Sequence, residues 1–160
     1  MKKYILTDEK KDFLGTTLYR IQAVRSFGNV KEGEKGGWIE KEKNLSHDGN
    51  CWISGTAWVF DNARACGDAR VFGDARIFSS AVVEKTQDFI CFSSIGSRFD
   101  SATFYKNKNN GISVCCGCFS GTIEEFQKRV TETHGSNKFA REYNMAIELA
   151  KIHILEGKNE

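Results

Sequence analysis

The chain of 160 residues contains no proline and only two methionines. Without proline, no turn can rely on a pre-set negative φ. Reversals must come from the 15 glycines together with Asn, Asp and Ser, the residues that accept positive φ. Long apolar runs are lacking too. No stretch approaches the roughly 20 apolar residues that span a bilayer, and the opening Met-Lys-Lys-Tyr-Ile-Leu-Thr-Asp-Glu-Lys lacks the apolar segment of a signal peptide. A cytoplasmic location is therefore expected. Charge of one sign is also missing: 23 basic and 21 acidic side chains leave +2, with no Lys/Arg block, so binding to nucleic acid through bulk phosphate attraction is not signalled.

What is present is a core-forming composition, 40% apolar and 12% aromatic, enough for one domain or a few mutually packed parts. Six cysteines (Cys51, Cys66, Cys91, Cys115, Cys116, Cys118) without an export signal read as reduced thiols, with Cys66 packing as a small apolar side chain.

A six-residue period organises the middle. From Ile53 the chain reads ISGTAW, VFDNAR, ACGDAR, VFGDAR, IFSSAV, VEKTQD. The first position carries Ile53, Val59, Ala65, Val71, Ile77 and Val83. The fifth carries Ala57, Ala63, Ala69, Ala75 and Ala81, and Gly, Asp, Asn or Ser fill the bend between. Such hexads suit a triangular left-handed β-helix, each hexad forming one flat side and one corner, so that about 18 residues complete a coil. Ile53 should then lie on Val71, Val59 on Ile77 and Ala65 on Val83. Outside, Phe60 should stack on Phe78 and Trp58 on Arg76, the latter worth about 0.5–1 kcal/mol. The register continues more faintly to Phe89 and Ile95, where Gln87 and Ser93 replace alanine. A plain antiparallel meander also alternates, but rarely keeps alanine at one phase through five hexads. Arg64, Arg70 and Arg76 fall on three different faces, so no basic stripe results; Asp68 and Asp74 are near enough to pair with them.

The fold class expected is mainly β with an α+β C-terminal part. Residues 1–50 form an N-terminal β cap, 51–96 the short β-helix, and 97–157 a ββαα module. In the cap, residues 3–7 and 17–25 read as strands, with Tyr19, Ile21 and Ala23 alternating, and Gly36-Gly37-Trp38-Ile39 as a third. In the module, residues 102–106 and 112–116 are β runs joined across an Asn-Gly turn signal. Thr122-Ile-Glu-Glu125 is a capping box opening a helix that Gly135 stops. A second helix runs from about Asn137, with Phe139, Tyr143, Ala146, Ile147, Ala150 and Ile154 as its apolar stripe. Gly157 to Glu160 should be loose.

The chain resembles a family of bacteriophage and prophage proteins through a segment LYRIQA…GGWIEKEKNLS (Leu18 to Ala23, Gly36 to Ser46), the hexads from Ile53, and a C-terminal GSR…TFYK…CGCF.GT.EEF…THG pattern. The last covers Gly96-Ser97-Arg98, Thr103 to Lys106, Cys116 to Phe119, Gly121-Thr122, Glu124 to Phe126 and Thr133 to Gly135. The resemblance implies a phage setting and a β-helix, and it brings no chemistry with it. Fewer hexads than in longer relatives argue against a filament.

Candidate chemistry is sparse. Ser97 and Arg98 offer backbone amides and a guanidinium that grip a phosphate or carboxylate, and the adjoining hairpin, with Tyr105 and Lys106, completes the expected ligand or partner surface; an ordinary linker is the bland reading. Cys115 and Cys118 form a C-x-x-C pair, half a zinc site that His134, His153 or Cys91 would complete, but a structural zinc motif normally shows two such pairs. Packed cysteines are the favoured reading, and neither metal nor cofactor is expected. His47 lies just before the repeat, and hexapeptide-repeat acyltransferases use a histidine as general base, yet the extra coils and projecting loop of such enzymes are not evident, and a surface or capping role for His47 is favoured. The reading adopted is a non-enzymatic phage accessory binding protein that inhibits or sequesters a host defence component or its ligand. It would act as a homo-oligomer (trimer or dimer), with a host protein or a small nucleotide-like ligand as partner. An acyltransferase-like enzyme and a purely structural assembly protein are the alternatives.

Overall fold

Short β segments spaced by Gly-Asp, Asp-Asn and Ser-Ser corners cannot form long ladders alone, and in the computed structural model, which describes residues 1–156, they pair across the chain instead. Trp52–Ile53 (β4), Trp58–Val59 (β5), Arg64–Ala65 (β6), Arg70–Val71 (β7), Arg76–Ile77 (β8) and Val82–Val83 (β9) form parallel pairs β4–β7, β5–β8 and β6–β9. Ile53 faces Val71, Val59 faces Ile77 and Ala65 faces Val83, so each hexad meets the third hexad after it. Backbone bonds keep the same register between strands: the Ser54 N–H donates to Val71 O at 2.9 Å and the Phe60 N–H to Ile77 O at 3.0 Å. All five alanines and the six hexad-initial residues are at most 1% exposed. Outside, Phe60 stacks on Phe78 at 4.8 Å, and the Arg76 guanidinium lies 4.5 Å above Trp58. Arg64, Arg70 and Arg76 lie in three separate pairings. Asp68 and Asp74 accept hydrogen bonds from Asn50 and Thr56, again with partners three hexads apart.

Ahead of the repeat, Tyr4–Phe13 (β1) and Thr16–Ala23 (β2) form a hairpin about Leu14-Gly15, both at positive φ. The inward residues of β2 are Leu18, Ile21 and Ala23 rather than Tyr19, Ile21 and Ala23. An irregularity opposite the next strand, between Arg20 and Gln22, breaks the strict alternation. Lys35–Ile39 (β3) pairs antiparallel with β2 and parallel with β5. A Cβ at Gly37 would meet the Ala57 carbonyl oxygen and the Ile53 side chain at 2.5 Å, so this close approach admits only glycine. The Lys3 ammonium is fully buried and donates to the carbonyls of Cys51 (2.8 Å), Gly49 (3.3 Å) and Asp48 (3.4 Å), tying the start of the chain to the loop before β4.

The chain divides into two compact units after Thr86, short of the 96/97 boundary expected from the hexads. Phe89–Ile95 (β10) is not a continuation of the repeat. It pairs antiparallel with Asp100–Lys106 (β11), which pairs with Ile112–Cys116 (β12), which pairs with Phe119–Thr122 (β13). With Gln87 and Ser93 in place of alanine, the small interior residue of the hexad is lost, and a 3₁₀ turn at Thr86–Asp88 redirects the chain. The second unit therefore has four antiparallel strands where two were expected. Ile123–His134 (α1) and Lys138–Lys151 (α2) follow, and α2 runs into a π-helical turn, Ile152–Glu156. Thr122 and Glu125 exchange both bonds of the capping box, and Gly135 ends α1. Phe104, Val114, Phe126, Tyr143 and Ile147 lead the core between sheet and helices. The Gly157 to Glu160 tail and the expected boundary at residue 157 lie outside the described residues.

Candidate functional site

Two turns at one end of the antiparallel sheet frame a cavity. After β10 the chain reverses through Gly96, Ser97, Arg98 and Phe99, the Phe99 N–H donating to Gly96 O at 3.2 Å. Gly96 has φ +76°, and the Tyr143 hydroxyl packs where its Cβ would be, so this position admits no side chain. The second turn, Gly117-Cys118, joins Cys116 of β12 to Phe119 of β13 with Gly117 at φ +57°. Two residues with a leading positive φ are the tight link that the twist of paired strands favours. The side chains of α1 close the remaining wall. The cavity has a volume of about 280 Å³, at the small end of ligand sites.

Its floor is apolar and uncharged. Phe126, Val130 and Tyr143 are buried there, and the Cys116 thiol donates to the Tyr143 hydroxyl at 3.8 Å. Burial pushes the Cys116 thiol up, the Tyr143 contact only partly opposing it, and burial first, then Cys116, pushes the Tyr143 phenol well above its ordinary range. Both stay protonated at neutral pH, so Cys116 is a weak nucleophile. His134 stacks on Tyr143 at 5.9 Å and adds an aromatic wall. The rim carries the charge: Arg98 and Arg129, both exposed, and Asp100, whose Oδ1 accepts the Ser101 N–H at 2.8 Å. Among the described residues neither arginine makes an ion pair, which leaves two guanidiniums over one carboxylate.

Of the expected site residues, Ser97 and Arg98 line this cavity and Tyr105 and Lys106 do not. Tyr105 is 1% exposed, opposite Phe89 and Ser113. Lys106 lies opposite Ile112, at the far end of β11 from Asp100, hence about 20 Å away at the rise of a strand. The hairpin that was expected to continue the Arg98 surface carries the chain away from it. The C-x-x-C pair is split as well. Neighbouring strand residues point to opposite faces, so Cys116 faces the cavity and Cys115 is buried on the other side, while Cys118 and His134 line the cavity. Among the described residues no group of three or more His, Cys, Asp or Glu could hold a metal ion. Arg129 and Asp100 were not singled out by the sequence, and Tyr143 and Cys116 stood there only as an apolar-stripe residue and a packed cysteine, not as site residues. The only signal for Arg129 was its place beside Phe126 and Val130 on α1.

His47 lies on a separate cavity of about 590 Å³ in the first unit, among Lys41, Lys43 and Arg64 and the acidic Glu42, Asp48 and Asp61. Its Nδ1 accepts the Lys3 backbone N–H at 3.2 Å, its ring stacks on Tyr4 at 4.2 Å, and its Nε2 is 3.8 Å from Glu42. Burial holds its pKa below the ordinary imidazole value, against the pull of Glu42. This cavity is larger, but its charges balance and its histidine is already engaged in packing. The cavity of the second unit, with two cations over an aromatic floor, is the better candidate for a ligand.

Among the described residues no helix is long and apolar enough to cross a membrane. No family model matches the chain. Over 61 residues, 33% of this chain and 19% of the relative, the sequence is 41% identical to a protein of Escherichia coli (strain K12) named uncharacterized acetyltransferase YdcK. The chain thus spans about a fifth of the length of the curated relative that it matches.

Proposed function

We propose that this chain is a non-enzymatic binding protein that holds a small, nucleotide-like anion in the cavity of its second unit. The observation that carries the reading is the pair Arg98 and Arg129, without ion pairs among the described residues, at the rim of a floor made of Phe126, Tyr143 and His134. Guanidiniums clamp phosphate or carboxylate with paired donors, and an aromatic floor suits a flat base. The first unit is the scaffold, read as a short left-handed β-helix. Its support is the parallel pairing of every hexad with the third one after it and the buried alanine in each hexad. The phage setting rests on the motif resemblance, and with it the role of sequestering a ligand of host defence, in the host cytoplasm, as a homo-oligomer. Titration of isotope-labelled protein with adenosine monophosphate and with inorganic phosphate tests the site. Shifts should concentrate at residues 96–100, Arg129 and His134, and Arg98→Ala or Arg129→Ala should weaken binding roughly tenfold or more. No shift with either probe, or equal affinity in both variants, would remove the reading.

A second reading, acyl transfer, is favoured by the stretch shared with a protein named as an acetyltransferase and by His47 on a cavity. Transfer from acetyl-coenzyme A that disappears in His47→Ala would favour it. The third, an assembly protein, would show concentration-dependent polymers beyond a closed oligomer.

A further inference from the structure

Helix α2 buries Ala140, Tyr143, Ala146, Ile147 and Ala150 in the core of its unit. Its opposite face would ordinarily be polar, yet Met145 is 74% exposed, Leu149 46% and Ile152 52%. The spacing i, i+4, i+7 lines these three up as one stripe along the helix. Scattered apolar side chains on a surface need no explanation, but a contiguous row on one helix marks a contact surface. The charges at the two ends of the row differ in sign: exposed Arg141 precedes it and exposed Glu156 follows it, and among the described residues neither makes an ion pair. Glu148, beside the row, is held by Lys151 at 3.1 Å.

We infer that this stripe is a two-fold interface between two copies of this chain, formed by α2 packing antiparallel on α2. A two-fold axis passing between Glu148 and Leu149 sets Met145 of each copy against Ile152 of the other and brings the two Leu149 side chains together. The same axis sets Arg141 against Glu156 twice. An isologous contact must be self-complementary in this way, and an apolar row with ends of opposite charge is complementary to itself only when antiparallel; Glu148, which the axis brings beside the same residue of the second copy, is paired with Lys151 of its own chain. A parallel pairing would put Arg141 on Arg141 and Glu156 on Glu156, and a membrane surface would leave Glu156 against headgroups with no partner. The α-helical part, residues 138 to 151, spans about 21 Å, and the π-helical turn that follows it carries Ile152 and Glu156. A contact made by one helix from each copy is small beside the roughly 800 Å² per partner of a standard interface, so the dimer is a weak, concentration-dependent one.

Sedimentation velocity on the full chain, from low micromolar to millimolar concentration, tests this. The wild type should move from monomer to dimer, and Met145→Glu with Ile152→Glu should weaken the association roughly a hundredfold without changing the circular dichroism, since both side chains are exposed. Arg141→Glu alone and Glu156→Arg alone should each weaken it about tenfold. Mixed together, these two variants should recover much of the wild-type affinity, because unlike chains then bring opposite charges together at one end of the contact and reversed charges at the other; misfolding cannot produce that recovery. A wild type monomeric throughout, an oligomer untouched by the Met145/Ile152 change, or a mixture that stays monomeric would overturn the inference.

Discussion

From residue 53 to 83 the interior is filled by branched aliphatics and alanines, every one at most 1% exposed, and each strand is two residues long. From residue 89 to 154 the interior is filled by Phe104, Phe126, Tyr143 and aliphatics between helices and strands of four to seven residues. The first region gains its cohesion by repetition. Each small side chain meets its counterpart in the stacked hexad, and no single residue dominates. The second relies on a few large rings: Phe104 packs edge-on against Phe126 at 5.8 Å, and Phe126 against Tyr143 at 5.4 Å. The difference shows in the cavities: the one in the first unit is lined mainly by charged and polar side chains, whereas helices set on a sheet through rings leave a gap with an aromatic floor at the turns.

The contrast can be broken by substitution. Phe104→Ala removes the central ring of the second unit and should destabilise that unit by about 3–5 kcal/mol, read by chemical denaturation, with amide protection falling between residues 89 and 154 and persisting between 53 and 83. Loss of protection in both regions together would mean that the units are not independent. The repeat should be sensitive in the opposite sense, to enlargement: Ala75→Leu should destabilise it by about 1–3 kcal/mol through overpacking, and protection should then fall in the parallel pairs. A variant as stable as the wild type would show that the interior has room that the buried alanines do not indicate.

The third distinction is one of pH. His47 in the first unit has a folded pKa below its unfolded value of about 6.5. In that window the unfolded chain binds more protons, so stability should fall as pH drops from about 6.5 towards the lowered value and then level off. Cys116 and Tyr143 in the second unit are shifted upward and stay protonated over the same range. The first unit should therefore lose stability on acidification, and His47→Gln should flatten the slope; an unchanged slope would assign it to other groups.

The repeat could be read from the sequence because period and chemistry coincide: alanine returns at one phase, and bend residues fill the corners. Its end could not. Phe89 and Ile95 keep the six-residue spacing and are both buried, so an antiparallel strand that turns two residues inward looks like one more hexad. The hairpin at residues 107–111 and the capping box at Thr122 and Glu125 were legible because local hydrogen bonds specify them: Asn107 Oδ1 accepts the N–H groups of Asn109 and Gly111. The cavity was half legible. Ser97 and Arg98 stand on a turn that invites a ligand, but Arg129 comes three strands later, on a helix, and only the fold brings the two to one rim. Tyr105 misled because β11 is buried on both faces from Ala102 to Tyr105, which the sequence of a single strand does not reveal.

Whether the Arg98–Arg129 cavity binds a small anion is decided best by native mass spectrometry of the protein taken straight from its producing cells. The wild type should carry a reproducible adduct of nucleotide mass that is lost when Arg98→Ala and Arg129→Ala are combined. A protein free of adduct, or an adduct that survives in the double variant, would refute the proposed site.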